Sequence, residues 1–333
     1  MKPKAGIIGT GNIGSELYRK LQKKGWAVRW VIDSEGVYRD MSKKEKIDDT
    51  RNYENYFSDL DIIFLAIPTL DDGKTAFDYI SSSLEKKIPI VTCEKGALSN
   101  YFSELEEKIE EEKIGYSATV GGGSRLLKYL EERRGPQITE IHAVINGTLN
   151  YIFYRISNGS SLGEAVEETK RLGYAEPGSK KPLDVINKEA TGDVPMKAAI
   201  LFNISNFCNE YMRAKDVKPH RINTSELKKL LKEATNRRYI VSITREKNKE
   251  EDVIWGFKHN VGDWYISAGF KHINDNPLFK KLVPSGVDNA ILISEGEFGR
   301  DGSYVISGPG AGPGPTTNSM IIDAERILKI RKP

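Results

Sequence analysis

The stretch TGDVPMKAAI sets a carboxylate, Asp193, four residues before an amine, Lys197, which is the spacing of one helical turn. Pro195 between them is tolerated only in a first turn, so it predicts a helix start near Asp193, with Asp193 as N-cap. Lys197 then falls where unpaired backbone N–H groups and the positive end of the macrodipole disfavour a cation by roughly a few tenths of a kcal/mol. The plain alternative is an ion pair on a solvated helix, contributing about 0.3–0.5 kcal/mol, while the unfavourable placement invites a functional explanation. In a closed, partly desolvated site, burial and the helix terminus favour the neutral amine while Asp193 favours the charged one. The result is a group able to exchange protons near neutral pH. Reduction of an aldehyde needs such a donor.

A second constellation opens the chain. Gly9, Gly11 and Gly14, with Asn12 and Ile13 among them, form G-x-G-x-x-G directly after the strand-like AGIIG and at the start of an amphipathic run. In that context the glycines let backbone approach a pyrophosphate seated on the helix N-terminus. Asp33 ends the next strand-like run, where a carboxylate accepts hydrogen bonds from an adenosine ribose and repels a 2′-phosphate. With Glu35 adding negative charge nearby, NAD is favoured; NADP stays admissible because Lys and Arg from elsewhere can receive a phosphate.

Lys95 in VTCEKGAL lies just past a predicted parallel strand, the edge where open α/β sheets take ligands, with a solvated loop lysine as the plain alternative. Gly147 and Thr148 in INGTLNYIF mark a strand passing into a helix, with Asn146 or Thr148 as its cap. Glu176 in GYAEP stands in a loop.

These groups need positioning elements. The first 125 residues alternate strand-like runs (AGIIG, AVRWVID, DIIFLAI, IPIVTC) with amphipathic helical runs, which requires crossover connections and a Rossmann-type, doubly wound parallel sheet. After residue 135 the texture changes to helical patterns followed by RYIVSITRE, DVIWGFKHN and DWYISAGFKH, read as an antiparallel meander in an α+β second domain. The tail, YVISGPGAGPGPTTNSMIIDAERILKI, reads as a strand, a Gly/Pro-rich turn and a helix capped by Thr316 or Thr317 that packs back on the first domain. The expected division is therefore 1–135 plus 306–333 for the dinucleotide and 136–305 for substrate.

With 333 residues, two domains are the prior expectation. The net charge of +3 is spread along the chain, so nucleic acid is not implied. Cys93 and Cys208 match no metal spacing and read as buried thiols of a reducing compartment. Without a leader-like or membrane-length apolar stretch, a soluble, cytoplasmic protein that engages no membrane is expected.

Taken in order, GIIGTGNIG, VTCEKGAL, ATVGGG, NGTLNYIF, GYAEP, GDVPMKAAIL, NPLFKKLVPSGVDNAILI and GPGAGPGPTTNSMIID resemble homoserine dehydrogenase over most of the chain. The final helix ends the chain as in the short form without a C-terminal regulatory domain. The resemblance implies reversible hydride transfer between L-aspartate 4-semialdehyde and L-homoserine in threonine and methionine biosynthesis, with a nicotinamide cofactor, by a homodimer acting on a small amino acid.

By motif position, Lys197 is then the proton donor, Lys95 sits beside nicotinamide and substrate, and Asp193 orients the lysine or binds substrate through a water. Glu176, Tyr174, Gly147 and Thr148 line the amino-acid pocket, with Glu176 meeting the substrate ammonium. Pro68, Thr69, Gly310 and Gly312 adjoin the cofactor.

Three departures bear on this. The position five residues before Asp193, where the family has a substrate-binding carboxylate, holds Lys188, with Glu189 or Asp184 as alternative substitutes between which the sequence does not choose. Ser117 stands where the family often has a sodium-binding glutamate, leaving the carbonyls of Val120 and Gly122 as ligands. Cys93 and Glu94 replace a common alanine and asparagine beside Lys95. The rival readings are another Rossmann reductase of semialdehydes or imines, such as dihydrodipicolinate reductase, and a nucleotide-sensing protein without turnover.

Overall fold

The computed structural model describes residues 2–135, 137–175, 181–245 and 254–329, which fall into two compact units. The first comprises Met1–Thr119 and Pro313–Pro333, the second Val120–Gly312. Both limits differ from the division drawn on the sequence. The helix Leu126–Arg133 groups with the second unit, where Leu126, Leu127 and Leu130 are fully buried.

In the first unit the strands are β1 (Lys4–Ile8), β2 (Ala27–Ile32), β3 (Val37–Tyr38), β4 (Lys46–Asp48), β5 (Ile62–Leu65), β6 (Ile90–Thr92) and β7 (Ile114–Gly115), in the order β4-β3-β2-β1-β5-β6-β7. The run from β2 to β7 is parallel, as expected. Its central strand β5 is buried throughout, as befits a sheet covered on both faces. The antiparallel edge strands β3 and β4 were not foreseen, being too short to carry a periodic signal.

Helix α1 (Asn12–Lys23) buries Leu17 and Leu21, one turn apart, in a core with Ile7, Val31 and Phe64. Each such side chain contributes about 1.5–3 kcal/mol by leaving water. The returning helix Pro313–Ile327 adds Met320, Ile321 and Ala324 to the same core. Its start corrects the expected cap. Proline opens the helix at residue 313, so Thr316 and Thr317 lie inside it, and the Thr317 hydroxyl donates back to the Pro313 carbonyl at 2.7 Å.

The second unit's helices are α2 (Leu126–Arg133), α3 (Gly147–Ser157), α4 (Leu162–Arg171), α5 (Pro182–Lys188), α6 (Val194–Ser205), α7 (Thr224–Lys232) and α8 (Pro277–Lys281). Its strands β8 (Ile138–Val144), β9 (Arg237–Thr244), β10 (Ile254–Val261), β11 (Trp264–His272), β12 (Asp288–Glu295) and β13 (Gly302–Pro309) form one antiparallel sheet, ordered β10-β11-β9-β8-β12-β13. The predicted meander is thus altered. β10 and β11 form the tight hairpin around Gly262, and β11, not β10, pairs with β9. Helix α6 is buried on every side from Lys197 to Ser205, the pattern of a central core helix.

The cysteines are both free and half-buried, where full burial was expected. Burial still pushes the Cys93 thiol up to about 11, so it stays protonated at neutral pH.

Candidate active site

Three glycines shape the loop between β1 and α1, each for its own reason. Gly9 has φ +106, and a Cβ there would lie 2.2 Å from the Ala66 carbonyl oxygen. A Cβ on Gly14 would lie 1.9 Å from the Gly9 carbonyl oxygen, so only glycine lets the helix approach the strand. A Cβ on Gly11 would meet nothing within 4 Å. Gly11 is also the N-cap of α1 and brings no side-chain cap, which leaves the first-turn N–H groups at Asn12, Ile13 and Gly14 to a ligand. This cradle fits the pyrophosphate of a dinucleotide.

Asp33 follows β2 directly and is already engaged. Its Oδ2 accepts from the Thr10 hydroxyl at 3.1 Å, its Oδ1 accepts from the Glu35 N–H at 2.8 Å, and Lys43 forms an ion pair with it. Burial opposes ionisation, but Lys43 and the two hydrogen bonds outweigh it and hold the carboxyl below its ordinary value. Sequence reasoning missed Lys43. It stands beside Lys44 and near Lys46, with φ +56 just after the Asp40–Ser42 turn, and nothing in that local run of lysines singles it out.

Thr69, two residues after the Ala66–Ile67 stretch that crowds Gly9, donates its hydroxyl to Glu94. Pro68 precedes it. Glu94 is 2% exposed and accepts from the N–H of Ala97 at 3.0 Å and from that of Gly96. The extra negative charge beside Lys95 is therefore spent on capping the short helix Gly96–Asn100, whose first residue follows Lys95.

In the second unit the helix does not start at Asp193. α5 runs through a π turn, Glu189–Asp193, straight into α6, and Asp193 has helical backbone angles and no capping bond. The expected N-cap and first-turn lysine are corrected accordingly. Pro195 has no N–H for the ladder, and its ring would press on the Thr191 carbonyl in a regular turn; the wider π turn, with Gly192 in it, accommodates both. Lys197 is nonetheless paired with Asp193 at 2.8 Å. Its Nζ also donates to the Ile145 carbonyl at 2.8 Å, and the residue is 9% exposed.

The two acids that could stand in at position 188 differ in their surroundings. Lys188 is exposed, and the Asp184 carboxylate is half-exposed and 4.0 Å from Arg221. Glu189 is buried, with its Oε2 2.7 Å from Asn146 Nδ2. That same nitrogen donates to Asp193 Oδ2 at 2.8 Å. Asn146, not Thr148, caps α3, its Oδ1 accepting from the Leu149 N–H at 2.7 Å. The Thr148 hydroxyl donates to the Tyr174 carbonyl at 2.7 Å. Glu176 lies outside the described residues.

Gly147, Gly122 and Gly310 converge within this unit. A Cβ on Gly147 would lie 2.7 Å from the Val287 carbonyl, and one on Gly122 would lie 2.9 Å from the Gly310 carbonyl. Gly312 has φ +107. Val120 is buried, and the Ser124 N–H and hydroxyl both donate to the neighbouring Gly121 carbonyl at 2.8 Å. In the first unit, Ser117 gives both of its donors to one carboxylate. Its N–H and hydroxyl each donate to the buried carboxylate of Asp323 at 2.7 Å. Among the described residues no three His, Cys, Asp or Glu side chains gather as a metal site, and no helix is long and apolar enough to cross a membrane.

A strand, a turn that only glycines can build and a helix end left open for phosphate, with a carboxylate after the second strand, are how NAD(P)-dependent oxidoreductases take their cofactor, and this chain is one of them. Residues 4–111 match the model of the oxidoreductase family with an NAD-binding Rossmann fold, and residues 126–324 match that of homoserine dehydrogenase. The chain belongs to the homoserine dehydrogenase family.

A homoserine dehydrogenase of Pyrococcus horikoshii is 25% identical over 97% of this chain and 96% of its own. Among solved structures, the homoserine dehydrogenase of Thermoplasma acidophilum superposes with a TM-score of 0.73 at 18% identity, covering 99% of this chain and all of that one. A hyperthermophilic archaeal homoserine dehydrogenase in complex with NADPH does so with a TM-score of 0.69 at 23% identity, covering 100% of this chain and 99% of that one.

Proposed function

We propose that the protein interconverts L-aspartate 4-semialdehyde and L-homoserine, with Lys197 as the group that gives and takes the hydroxyl proton. One observation carries this reading: a buried lysine held between the Asp193 carboxylate and the Ile145 carbonyl, both at 2.8 Å. An ammonium has three hydrogens, and these two acceptors take two of them, so the third is left for a substrate oxygen. Its charge opposes the build-up of negative charge on that oxygen as the carbonyl is reduced. In the oxidative direction the neutral amine accepts the proton of the homoserine hydroxyl. The nicotinamide, when bound, supplies or accepts the hydride.

The remaining assignments rest on the family's motifs. Lys95 steadies the polarised oxygen, and Tyr174, Gly147, Thr148 and Glu176 line the amino-acid pocket. Pro68, Thr69, Gly310 and Gly312 attend the cofactor. Asp33 supports NAD over NADP, although its pairing with Lys43 reduces the repulsion a 2′-phosphate would meet. The carbonyls of Val120 and Gly122 are the groups that would hold a sodium ion, with Ser117 in place of the family's glutamate. The reading keeps a cytoplasmic homodimer, which sedimentation of the purified protein tests.

The deciding experiment mixes the purified chain with L-homoserine and NAD and follows the absorbance of reduced nicotinamide. Homoserine-dependent turnover is expected. Cofactor binding without turnover would favour a nucleotide sensor, and oxidation of NADH by a cyclic imine, in a parallel assay that supplies reduced cofactor, would favour an imine reductase.

A further inference from the structure

We propose that Glu189 and Asn146 are positioning residues for Lys197, brought to it by the π turn that joins α5 to α6. The proposal rests on Lys197 being the proton donor and extends that reading to residues that do not touch the reacting atoms.

The backbone comes first. In a regular helix of about 3.6 residues per turn, a step of four residues overshoots one revolution, and two such steps leave residues 189 and 197 well apart around the axis. A π turn closes its bonds from i to i+5 and takes more than four residues per revolution, so the step from Glu189 to Asp193 falls short. That shortfall offsets the overshoot from Asp193 to Lys197. Glu189, Asp193 and Lys197 therefore share one face of the continuous helix.

The end of β8 supplies the other side. Ile145 offers its carbonyl to Lys197, and the next residue offers its side chain to both acids. The orientation of the Asn146 amide is set by its own cap bond. With Oδ1 accepting from Leu149 N, the nitrogen points the other way and donates one hydrogen to Glu189 Oε2 and one to Asp193 Oδ2.

One amide thus holds two carboxylates that would otherwise repel, and one of these, Asp193, holds the amine. All three anchoring groups are inside the protein: Asn146 is 3%, Glu189 8% and Lys197 9% exposed. A polar network in such surroundings stays rigid only when it is complete. A neutral acceptor in place of the Glu189 carboxylate holds the shared amide more weakly, and loss of Asn146's nitrogen removes that hold altogether; either gives Asp193 more freedom to turn, and the lysine with it.

The test uses the full chain and five proteins: wild type, Glu189→Gln, Asn146→Ser, Lys197→Ala and the double variant Lys197→Ala/Glu189→Gln. Glutamine keeps an acceptor for Asn146 and serine keeps a helix cap, so the obvious causes of misfolding are avoided. For each protein kcat, KM for homoserine, NADH Kd and Tm are measured.

The expected result is that Glu189→Gln and Asn146→Ser each lower kcat by about 10- to 100-fold, with KM and NADH Kd held within about twofold. Glu189→Gln should cost nothing more once Lys197 is alanine, since it acts only through that amine. A loss that multiplies onto that of Lys197→Ala overturns the proposal, as does an unchanged kcat in Glu189→Gln. A raised KM with intact kcat would instead make Glu189 a substrate contact. Near-normal kcat in Lys197→Ala would remove the underlying reading itself, and that outcome is separate from the others. Should Asn146→Ser fail to fold, the Glu189 comparison decides alone.

Discussion

The Nζ of Lys197 donates to the main-chain carbonyl of Ile145 at 2.8 Å, tying the buried helix α6 to the end of β8. A main-chain carbonyl does not titrate, so this contact anchors one side of the amine at any working pH and leaves the other side to its second partner. Asp193, at the same distance, supplies the charge complement.

From that contact follows the first expectation. Lys197→Ala should lower kcat by about 10²–10⁴-fold, the range for a lost general acid–base, while NADH Kd stays at the wild-type value. Steady-state kinetics with a parallel fluorescence titration checks both, and a kcat close to wild type would falsify the role.

Two glycines three residues apart should answer alanine in opposite ways. Gly11 has φ −70 and open space at its Cβ position, so Gly11→Ala should leave Tm nearly unchanged yet weaken NADH binding by about tenfold or more, because the methyl enters the space a pyrophosphate needs. Gly14→Ala would drive a Cβ to 1.9 Å from the Gly9 carbonyl and should destabilise the fold by several kcal/mol, roughly the scale of overpacking. Thermal melts and titrations of both variants would contradict this if Gly11→Ala were the less stable one.

Asp33 and Lys43 together set the cofactor preference. NADH should bind more tightly than NADPH. Lys43→Ala, which bares the carboxylate, should widen that gap by about tenfold through lost NADPH affinity. A narrower gap would mean that Lys43 does not attenuate Asp33.

The same carboxyl has a consequence for acid stability. Its folded value is depressed, so ionised Asp33 stabilises the fold above its ordinary value of 3.8, and that contribution is lost as the pH falls through the depressed value. The Tm difference between wild type and Asp33→Asn should be steady from neutral to mildly acidic pH and shrink below that range. A difference that grows with acid would reverse the sign assigned here.

Ser117 gives both of its donors to the buried carboxylate of Asp323, 206 residues on. Ser117→Ala removes one of them and should cost about 1–3 kcal/mol, the scale for a hydrogen bond to a charged group, read as a lower urea midpoint at unchanged slope. An unchanged midpoint would show that the hydroxyl contributes nothing to the fold.

What the sequence by itself determined is what depends on near neighbours along the chain. The glycine spacing, the parallel sheet, the returning helix and the Asp193–Lys197 pair were legible because each rests on a local period or turn. Even there the local argument misled, at the cap of the returning helix and again at Pro195. Pro195 implied a helix start, and the structure instead keeps the helix and widens one turn to admit the proline.

Only the tertiary structure decided which acid joins the lysine. Glu189 and Asp184 are equivalent on paper, and Glu189 is the one that Asn146, 43 residues earlier, reaches from another element. Lys43's partnership with Asp33 and the order β10-β11-β9 belong to the same class. Contacts between distant segments are selected by packing and by satisfying buried polar groups, and neither leaves a periodic trace in the residues that make them.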